Sequence, residues 1–360
     1  MRARAALAAL TGLAVLLAAP MAGASTRAPL PSPSLFDLAA PSGPPRDLVL
    51  PRPSAAAARA MAQASATRYP VNDGQGRSVA IAVSAACQVA CTAANPQQIA
   101  DFLGTLVHGD EMNLLTVDLQ TPLEIGFVCP GASACYFPGQ NRMLISGDDT
   151  PAPDGATREF VIAHEYGHHV ASHLQNPPFD PAIDWGGKRW DTYERVCEGV
   201  RQGVYFPGDE GNHYYENPGE AWAESSAFNR FPNAPVAWAW TPSLKPDAAA
   251  FAAITADTRN PWRHRVRLVL HGRLRRGQKQ LTKRLRTPLD GSLSLVLRGQ
   301  PGAELDLQLR DRSGALLRRS AGVGPNEALS YTVCGQSRMR AVIKRGGRGS
   351  GRFRLVVRRP

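Results

Sequence analysis

The spacing of hydrophobic residues changes near residue 262. Upstream, the apolar residues that follow Asn95-Pro96 repeat at i, i+3, i+4, i+7 and i+8, which predicts an amphipathic helix. Downstream, apolar and polar residues alternate in short runs, which predicts strands. The change of period predicts an α+β chain with two folded domains, residues 79–262 and residues 263–360.

Further apolar runs in the first of these domains predict four strands, at 79–84, 114–119, 123–128 and 142–146. A longer helical run follows, with Asp154 or Thr157 as its cap. A second helix is predicted to begin at Asn217-Pro218, because asparagine is a favoured cap and proline is favoured at the first helical position. The order is helix, sheet, helix, helix.

Several short segments of alternating hydrophobicity follow residue 262. They lie at 266–270, 293–297, 305–309, 339–343 and 353–357, with turn signals such as Asp290-Gly291 between them. Short strands at about ten-residue spacing are typical of a β-sandwich of roughly 100 residues. We therefore expect an all-β sandwich domain over residues 263–360.

The first 78 residues predict export and little folded structure. Two arginines precede an apolar run that ends at Ala19, and small residues before Ser25 form a cleavage site, so residues 1–24 predict a signal peptide. The run is shorter than the roughly 20 residues that span a bilayer, and no transmembrane segment is predicted later. Residues 25–78 are rich in alanine and proline, which predicts a disordered linker or pro-segment.

The chain contains 6 cysteines. An even number in an exported chain is typical of disulfides and agrees with a secreted or periplasmic location. Six cysteines allow 15 pairings, so the connectivity stays open. The pairs favoured by proximity and elimination are Cys129 with Cys135, Cys87 with Cys91, and Cys197 with Cys334.

Net charge divides at the same boundary. Residues 263–360 contain 24 Lys and Arg against 5 Asp and Glu, a net charge of +19, whereas the whole chain carries +11, so residues 1–262 carry −8. Alternation places several arginines on outward faces, which attract polyanions such as anionic envelope polymers, although an ordinary solvated face has the same composition. Sequence-specific nucleic-acid binding is not expected, because no recognition module is visible.

Residues 164–168 read His-Glu-Tyr-Gly-His. On an α-helix, His164 and His168 are offset by only about 40° around the axis, so both imidazoles reach one point, where neutral imidazoles suit Zn2+. Glu165 lies beside the first histidine and can act as a general base without binding the metal. This pattern arises by chance roughly 0.006 times in a chain of this composition, so it predicts a zinc-dependent hydrolytic site.

Two glutamates on the helix after Asn217 can complete the metal site. Glu220 and Glu224 lie one turn apart on one face, so one carboxylate can bind the metal while the other holds a histidine through its second ring nitrogen. The spacing does not decide between them, and Glu216 is a third candidate. Glu220 also stands three residues after Asn217, where it would complete a capping box.

Taken together, His164, Glu165 and His168, followed by Glu220 and Glu224, resemble the gluzincin class of zinc metallopeptidases. The segment around the histidines is also similar to bacterial neutral zinc metallopeptidases. The resemblance covers residues 78–262 in outline and implies a zincin-like catalytic domain. It implies Zn2+ bound by His164, His168 and Glu220, with Glu224 supporting a ligand.

The same resemblance implies a donor for the oxyanion that forms during peptide hydrolysis. In gluzincins this donor is a tyrosine or histidine near the third ligand, and His213, Tyr214 and Tyr215 all precede Glu220 closely. The spacing leaves the choice among the three open. Segments 287–291, 330–335 and 349–357 are similar to the pre-peptidase C-terminal domains of secreted bacterial peptidases.

These features predict a secreted zinc-dependent metallopeptidase that hydrolyses polypeptide substrates with Glu165 as general base. The alternative is a secreted surface- or polyanion-binding protein that retains a structural, catalytically inactive zinc helix. A chain that ends near residue 262 is expected to keep its cleavage activity, unless Cys197 is bonded to Cys334.

Overall fold

The computed structural model describes residues 46–52, 58, 65–91, 95–149, 151–152, 154–347 and 351–360. The predicted signal peptide, residues 1–24, lies outside the described residues. Within the described part of the chain, no helix is both long enough and apolar enough to cross a membrane. Helices and a mixed sheet are followed by two antiparallel sheets, so the fold class is α+β, as predicted.

A five-stranded mixed sheet forms one layer of the N-terminal domain. Its strands are β1 (Thr67–Pro70), β2 (Ser78–Val83), β3 (Thr116–Gln120), β4 (Cys135–Phe137) and β5 (Arg142–Ser146). Their spatial order is β1-β2-β3-β5-β4. Strands β2, β3 and β5 run parallel, whereas β1 and β4 pair antiparallel at the two edges.

Helices pack against this sheet and against each other. In chain order they are α1 (Ala85–Ala90), α2 (Pro96–Gly104), α3 (Pro122–Val128), α4 (Arg158–Ser172), α5 (Ala182–Trp185), α6 (Lys188–Glu194), α7 (Val196–Gln202), α8 (Pro218–Arg230) and α9 (Ala248–Arg259). Short 3-10 helices lie at Asp110–Leu114, Pro138–Gln140, Tyr214–Glu216 and Pro242–Leu244. Helices α4 and α8 are largely buried and pack on one another, so they form the centre of the domain.

The predicted strand at 123–128 is wrong, because this segment lies in helix α3. Thr121 and Glu124 form a full capping box, in which the Thr121 hydroxyl accepts from the Glu124 amide and the Glu124 carboxylate accepts from the Thr121 amide. The buried residues Ile125 and Val128 are three positions apart. The apolar run therefore follows a helical spacing, which a short run does not distinguish from a strand.

The prediction of a disordered segment over residues 25–78 is wrong in two places. Strand β1 pairs with β2, so the N-terminal domain begins before residue 79. Residues 46–52 lie against the domain, and the side chain of Asp47 is fully buried there. Residues 25–45, 53–57 and 59–64 lie outside the described residues.

Two four-stranded antiparallel sheets form the C-terminal domain. The strands are β6 (Val266–Leu274), β7 (Gln280–Thr287), β8 (Gly291–Gly299), β9 (Leu305–Arg310), β10 (Leu316–Ser320), β11 (Asn326–Val333), β12 (Ser337–Arg345) and β13 (Gly351–Arg359). The sheet orders are β10-β9-β12-β7 and β11-β8-β13-β6. Alternate residues such as Leu293, Leu295 and Leu297 fill a core between the sheets, so the domain is an all-β sandwich, as predicted.

All 6 cysteines form disulfides, which confirms the predicted disulfide framework. The pairs are Cys87 with Cys91, Cys129 with Cys135, and Cys197 with Cys334. The last pair joins α7 of the N-terminal domain to the residue that follows β11. A covalent bond therefore connects the two domains.

A buried polar contact lies at the same junction. Lys188 Nζ and Asp290 Oδ1 are 4.0 Å apart, and both side chains are fully buried. The Asp290 amide donates a hydrogen bond of 3.1 Å to the Thr192 hydroxyl oxygen. Because the contact joins α6 to the turn before β8, the two domains pack together as well as being cross-linked.

Candidate metal centre

Helix α4 carries the two histidines of the predicted metal site. Thr157 begins the helix, because its hydroxyl accepts a hydrogen bond from the Phe160 amide. Every residue from 160 to 171 is buried, so the helix is a core element. His164 and His168 lie one turn apart, and their Nε2 atoms are 3.2 Å from each other.

Helix α8 brings Glu220 to the same point. Asn217 caps the helix by accepting from the Gly219 amide. Glu220 Oε2 lies 3.5 Å from His164 Nε2, and Glu220 Oε1 lies 3.4 Å from His168 Nε2. Among the described residues neither Glu220 oxygen has a hydrogen-bond partner, so this side chain faces the histidines instead of completing a capping box.

Glu224 lies one turn after Glu220 and contacts the outer nitrogen of His164. Its Oε2 atom is 2.9 Å from His164 Nδ1. A hydrogen bond from Nδ1–H to a carboxylate fixes the tautomer whose Nε2 lone pair faces the cluster. The structure therefore places Glu224 where it can orient a ligand histidine, and Glu216 lies outside this group.

A fourth donor, Asp47, comes from the segment that was predicted to be disordered. Asp47 Oδ2 lies 3.3 Å from His164 Nε2 and 3.1 Å from His168 Nε2. In the sequence it is an isolated acidic residue in a Pro-rich stretch, 121 positions before His168. No spacing rule relates residues so far apart, and the one local signal is the apolar run that follows, residues 48–50.

The donor atoms of Asp47, His164, His168 and Glu220 can hold a metal ion. All four lie within 4.8 Å of one another. Their close pairs are 3.1 to 3.5 Å apart. Tetrahedral Zn2+, with bonds of about 2.0 to 2.1 Å, holds neighbouring nitrogen and oxygen donors about 3.3 to 3.4 Å apart. The pairs that include a histidine nitrogen therefore match zinc in spacing, and two imidazoles with two carboxylates match it in donor chemistry.

Glu165 lies beside the donors without being one of them. Its side chain is fully buried, and neither carboxylate oxygen has a hydrogen-bond partner among the described residues. Burial raises the pKa of its carboxyl well above the usual range, and the nearby Asp47 carboxylate raises this pKa further. A carboxyl with a raised pKa is suited to accept a proton and return it.

The charges of the cluster depend on one another. Burial alone would raise the pKa of Asp47, but the His164 imidazole holds this pKa well below its usual range. Burial alone would lower the pKa of His168, but the Glu220 and Asp47 carboxylates raise it to about 10. Burial and the Glu220 carboxylate raise the pKa of Glu210 to about 9. In the absence of a cation, protons therefore balance the carboxylates, and metal binding would release them.

The three candidate oxyanion donors have different surroundings. Tyr214 is buried, and its hydroxyl donates a hydrogen bond of 2.6 Å to Asp47 Oδ1. The side chain of His213 is 43% exposed and stacks on Phe206, with ring centres 3.7 Å apart. Tyr215 packs edge-on against Tyr214. The structure therefore brings the Tyr214 hydroxyl to the donor cluster and keeps His213 near the surface.

Comparisons with known proteins give weak similarities. No protein-family model matches the chain, and no curated protein matches it. The pre-peptidase C-terminal domain of a collagenase from Bacillus anthracis is 12% identical over 26% of this chain and 89% of that chain, with a TM-score of 0.24. The Yersinia pseudotuberculosis-derived mitogen is 16% identical over 27% of this chain and 87% of that chain, with a TM-score of 0.22.

A third solved structure spans both domains. Aminopeptidase A from Legionella pneumophila, in complex with aspartic acid, is 12% identical over 78% of this chain and 37% of that chain, with a TM-score of 0.22. At these TM-scores the similarities support no conclusion about fold or function. The chemistry of the site therefore rests on its own geometry.

Proposed function

We propose that this protein is a zinc-dependent peptidase whose general base is Glu165. The observation that carries the proposal is the buried Glu165 carboxylate, which has no hydrogen-bond partner among the described residues, beside a donor cluster that can hold a metal ion. His164, His168 and Glu220 would hold the ion, with Asp47 as a fourth donor in the state described here. Zinc, when bound, would polarise a peptide carbonyl and lower the pKa of a nearby water molecule.

Three side chains of the protein would transfer the proton of water, stabilise the charge on the carbonyl oxygen and orient a ligand histidine. Glu165 would accept the proton of the attacking water and deliver it to the leaving amine. The Tyr214 hydroxyl would donate a hydrogen bond to the carbonyl oxygen as that oxygen gains negative charge. Glu224 would keep His164 in the tautomer whose Nε2 atom faces the cluster. Together these roles favour hydrolysis of a peptide bond.

Cleavage-site profiling combined with metal analysis tests the proposal. Zinc-loaded full-length protein is incubated with a polypeptide library, and new N-termini are mapped. A second sample carries Asp47→Ala, because the Asp47 carboxylate lies among the donors. Glu165→Gln is introduced into both the wild-type protein and Asp47→Ala as a control. Hydrolysis that requires zinc and disappears in these two controls supports the proposal. Samples that hold about one zinc ion per chain and hydrolyse nothing contradict it.

A second candidate function is binding to a polyanion, and the exposed arginines of β7 and β12 favour it. The strand register places Arg338 opposite Arg286 and Arg340 opposite Arg284, and all four are exposed. With Arg312 they line an open cavity of about 410 Å³. Like charges directly opposite each other destabilise a sheet, so this arrangement favours an anionic partner. We call these four residues on β7 and β12 the arginine face.

The closed donor set is compatible with this second candidate as well. Structural zinc sites have four protein donors, whereas catalytic sites keep one position open. In such a protein the metal would stabilise the fold, and the arginine face would bind an anionic envelope polymer. A peptidase with a surface-binding domain would combine both functions.

Binding to inorganic polyphosphate at several salt concentrations tests the arginine face. Replacing Arg284 and Arg340 by glutamine should weaken binding and reduce the dependence of log affinity on log salt by about 2. Replacing the exposed Arg263 and Arg318 by glutamine makes the same change in net charge elsewhere on the domain. Equal effects of the two double variants would show that net charge, and not the arginine face, controls binding.

A further inference from the structure

Residues 46–50 run beside β4 like an added strand. The Tyr136 amide donates a hydrogen bond of 3.1 Å to the Leu48 carbonyl oxygen, and the Leu50 amide donates one of 2.9 Å to the Tyr136 carbonyl oxygen. An edge strand has unpaired amides and carbonyls on its outer side, and an extended peptide can pair with them. The segment therefore occupies a site for an extended peptide.

Side chains of this segment also hold it in place along the outer edge of β4 (Cys135–Phe137), which we call the groove. The Arg46 side chain is 7% exposed, and its guanidinium contacts Asp154 and Glu224, with an Nε to Oδ2 distance of 2.6 Å to the first and an Nη1 to Oε2 distance of 2.5 Å to the second. Leu48 and Leu50 pack against a small apolar cluster that includes residues of α3 and β4. One ion pair thus reaches the same Glu224 that orients His164.

Asp47 occupies one position and one hydrogen-bond donor that the proposed reaction needs. Its Oδ2 atom lies beside the Nε2 atoms of both histidines, where the attacking water would have to lie. Its Oδ1 atom accepts the hydrogen bond of Tyr214, which would otherwise be free to serve the carbonyl oxygen. A catalytic zinc site keeps a position open beside three protein donors, and here one carboxylate fills it.

We propose that residues 46–50 are an internal inhibitor, which fills the groove where an extended peptide substrate binds and closes the metal site with Asp47. This inference rests on the proposed peptidase function. Release of the segment would open the groove, the fourth donor position and the Tyr214 hydroxyl together. Pro51 and Arg52, which directly follow the segment, are exposed.

The test uses full-length protein loaded with Co2+, whose visible absorption changes when a coordination position takes a new ligand. Azide is the probe, because it binds an open position and competes poorly with a complete set of four protein donors. We expect azide to shift the spectrum of Asp47→Ala and to leave that of the wild type unchanged. Asp101→Ala makes the same change on the exposed surface of α2 and should behave like the wild type.

Peptide hydrolysis by the same variants, loaded with zinc, separates the inference from the proposed function. If about 1% of wild-type chains have the segment released, Asp47→Ala should hydrolyse peptides about 100-fold faster. An azide response in Asp47→Ala without any hydrolysis would support the inhibitory contact and refute the peptidase function. A wild-type protein that binds azide and hydrolyses peptides as fast as Asp47→Ala would overturn the inference and leave the peptidase function intact.

Leu50→Pro provides a second variant in case Asp47→Ala does not fold. It keeps all four donors but removes the amide that donates to the Tyr136 carbonyl oxygen. A loosened segment should give a partial azide response. A Leu50→Pro protein as unresponsive to azide as the wild type would then count against the inhibitor.

Discussion

Gly167 of α4 lies directly against Ala223 of α8. A Cβ atom on Gly167 would be 2.8 Å from the Ala223 Cα atom, closer than real Cβ atoms approach. Trp222 strengthens the contact, because its Nε1 donates a hydrogen bond of 3.0 Å to the Gly167 carbonyl oxygen. These two helices carry the histidines and Glu220, so their close approach sets the size of the donor cluster.

Gly167→Ala should therefore push α4 and α8 apart and weaken metal binding. We expect a loss of about 1 to 3 kcal/mol in the free energy of unfolding, the usual cost of overpacking. Thermal unfolding with and without zinc measures both effects. Gly126→Ala on α3 is the matched control, because no atom lies within 4 Å of its added Cβ and alanine favours a helix. An unchanged zinc affinity in Gly167→Ala would show that the contact between the two helices does not control metal binding.

Glu165→Gln should abolish peptide hydrolysis while the protein keeps about one zinc ion per chain. The substitution preserves the size of the side chain and removes its ability to accept a proton. Metal analysis and single-turnover hydrolysis, measured on one preparation, test this expectation. Loss of zinc together with activity would indicate that Glu165 binds the metal and is not the general base.

Glu220→Ala and Glu224→Ala should differ in their effect on zinc. Glu220 faces both histidines, so its replacement should remove most of the bound zinc. Glu224 contacts one histidine through Nδ1, so its replacement should weaken zinc binding by about 10- to 100-fold. Competition with a chelator of known affinity measures both variants. A larger loss of zinc in Glu224→Ala than in Glu220→Ala would indicate that Glu224 is the metal ligand and Glu220 the supporting residue.

Truncation after residue 262 should destabilise the N-terminal domain, because the Cys197–Cys334 bond is present, and retained activity was expected only without it. The truncated chain lacks Cys334 and leaves Lys188 without Asp290 at the buried junction. Removing one partner of a buried ion pair costs about 3 to 5 kcal/mol. Urea unfolding of the truncated and full-length proteins measures the loss.

The control for the truncation replaces Cys197 and Cys334 by serine in the full-length chain. It removes the covalent bond and keeps the packing, so the protein should fold with a loss of about 2 to 5 kcal/mol. A truncated chain that folds and hydrolyses a small peptide at the full-length rate would show that the sandwich is dispensable for the N-terminal domain.

The parts of the site that lie within one helix follow from sequence spacing. His164 and His168 meet because a helix brings residues four positions apart onto one face. The Asn217 cap starts the next helix, and Glu220 with Glu224 then face the histidines in the structure. Short-range geometry predicts which residues share a face of each helix, whereas the resemblance to gluzincins implied that the two helices meet and that Glu220 is the ligand.

The remaining parts depend on the path of the chain in three dimensions. Asp47 reaches the cluster because its segment pairs with β4, and this pairing joins residues almost 90 positions apart. The positions of His213, Tyr214 and Tyr215 around the donors also depend on tertiary packing, since all three lie within seven residues of Glu220 and the spacing does not choose among them. Helix α3 is a further example, because the spacing of apolar residues in a six-residue segment does not distinguish a helix from a strand.

The cross-link and the buried contact at the domain junction limit the movement of the sandwich relative to the metal cluster. A sandwich adsorbed through its arginine face would hold the cluster at one height and one angle above the adsorbing layer. Two domains joined by a flexible linker would instead allow cleavage at many distances from the surface. If the protein is a peptidase that binds a surface, as we propose, it would cut polypeptides within a narrow range of distances from that surface, so the thickness of the adsorbing layer would decide which chains it reaches.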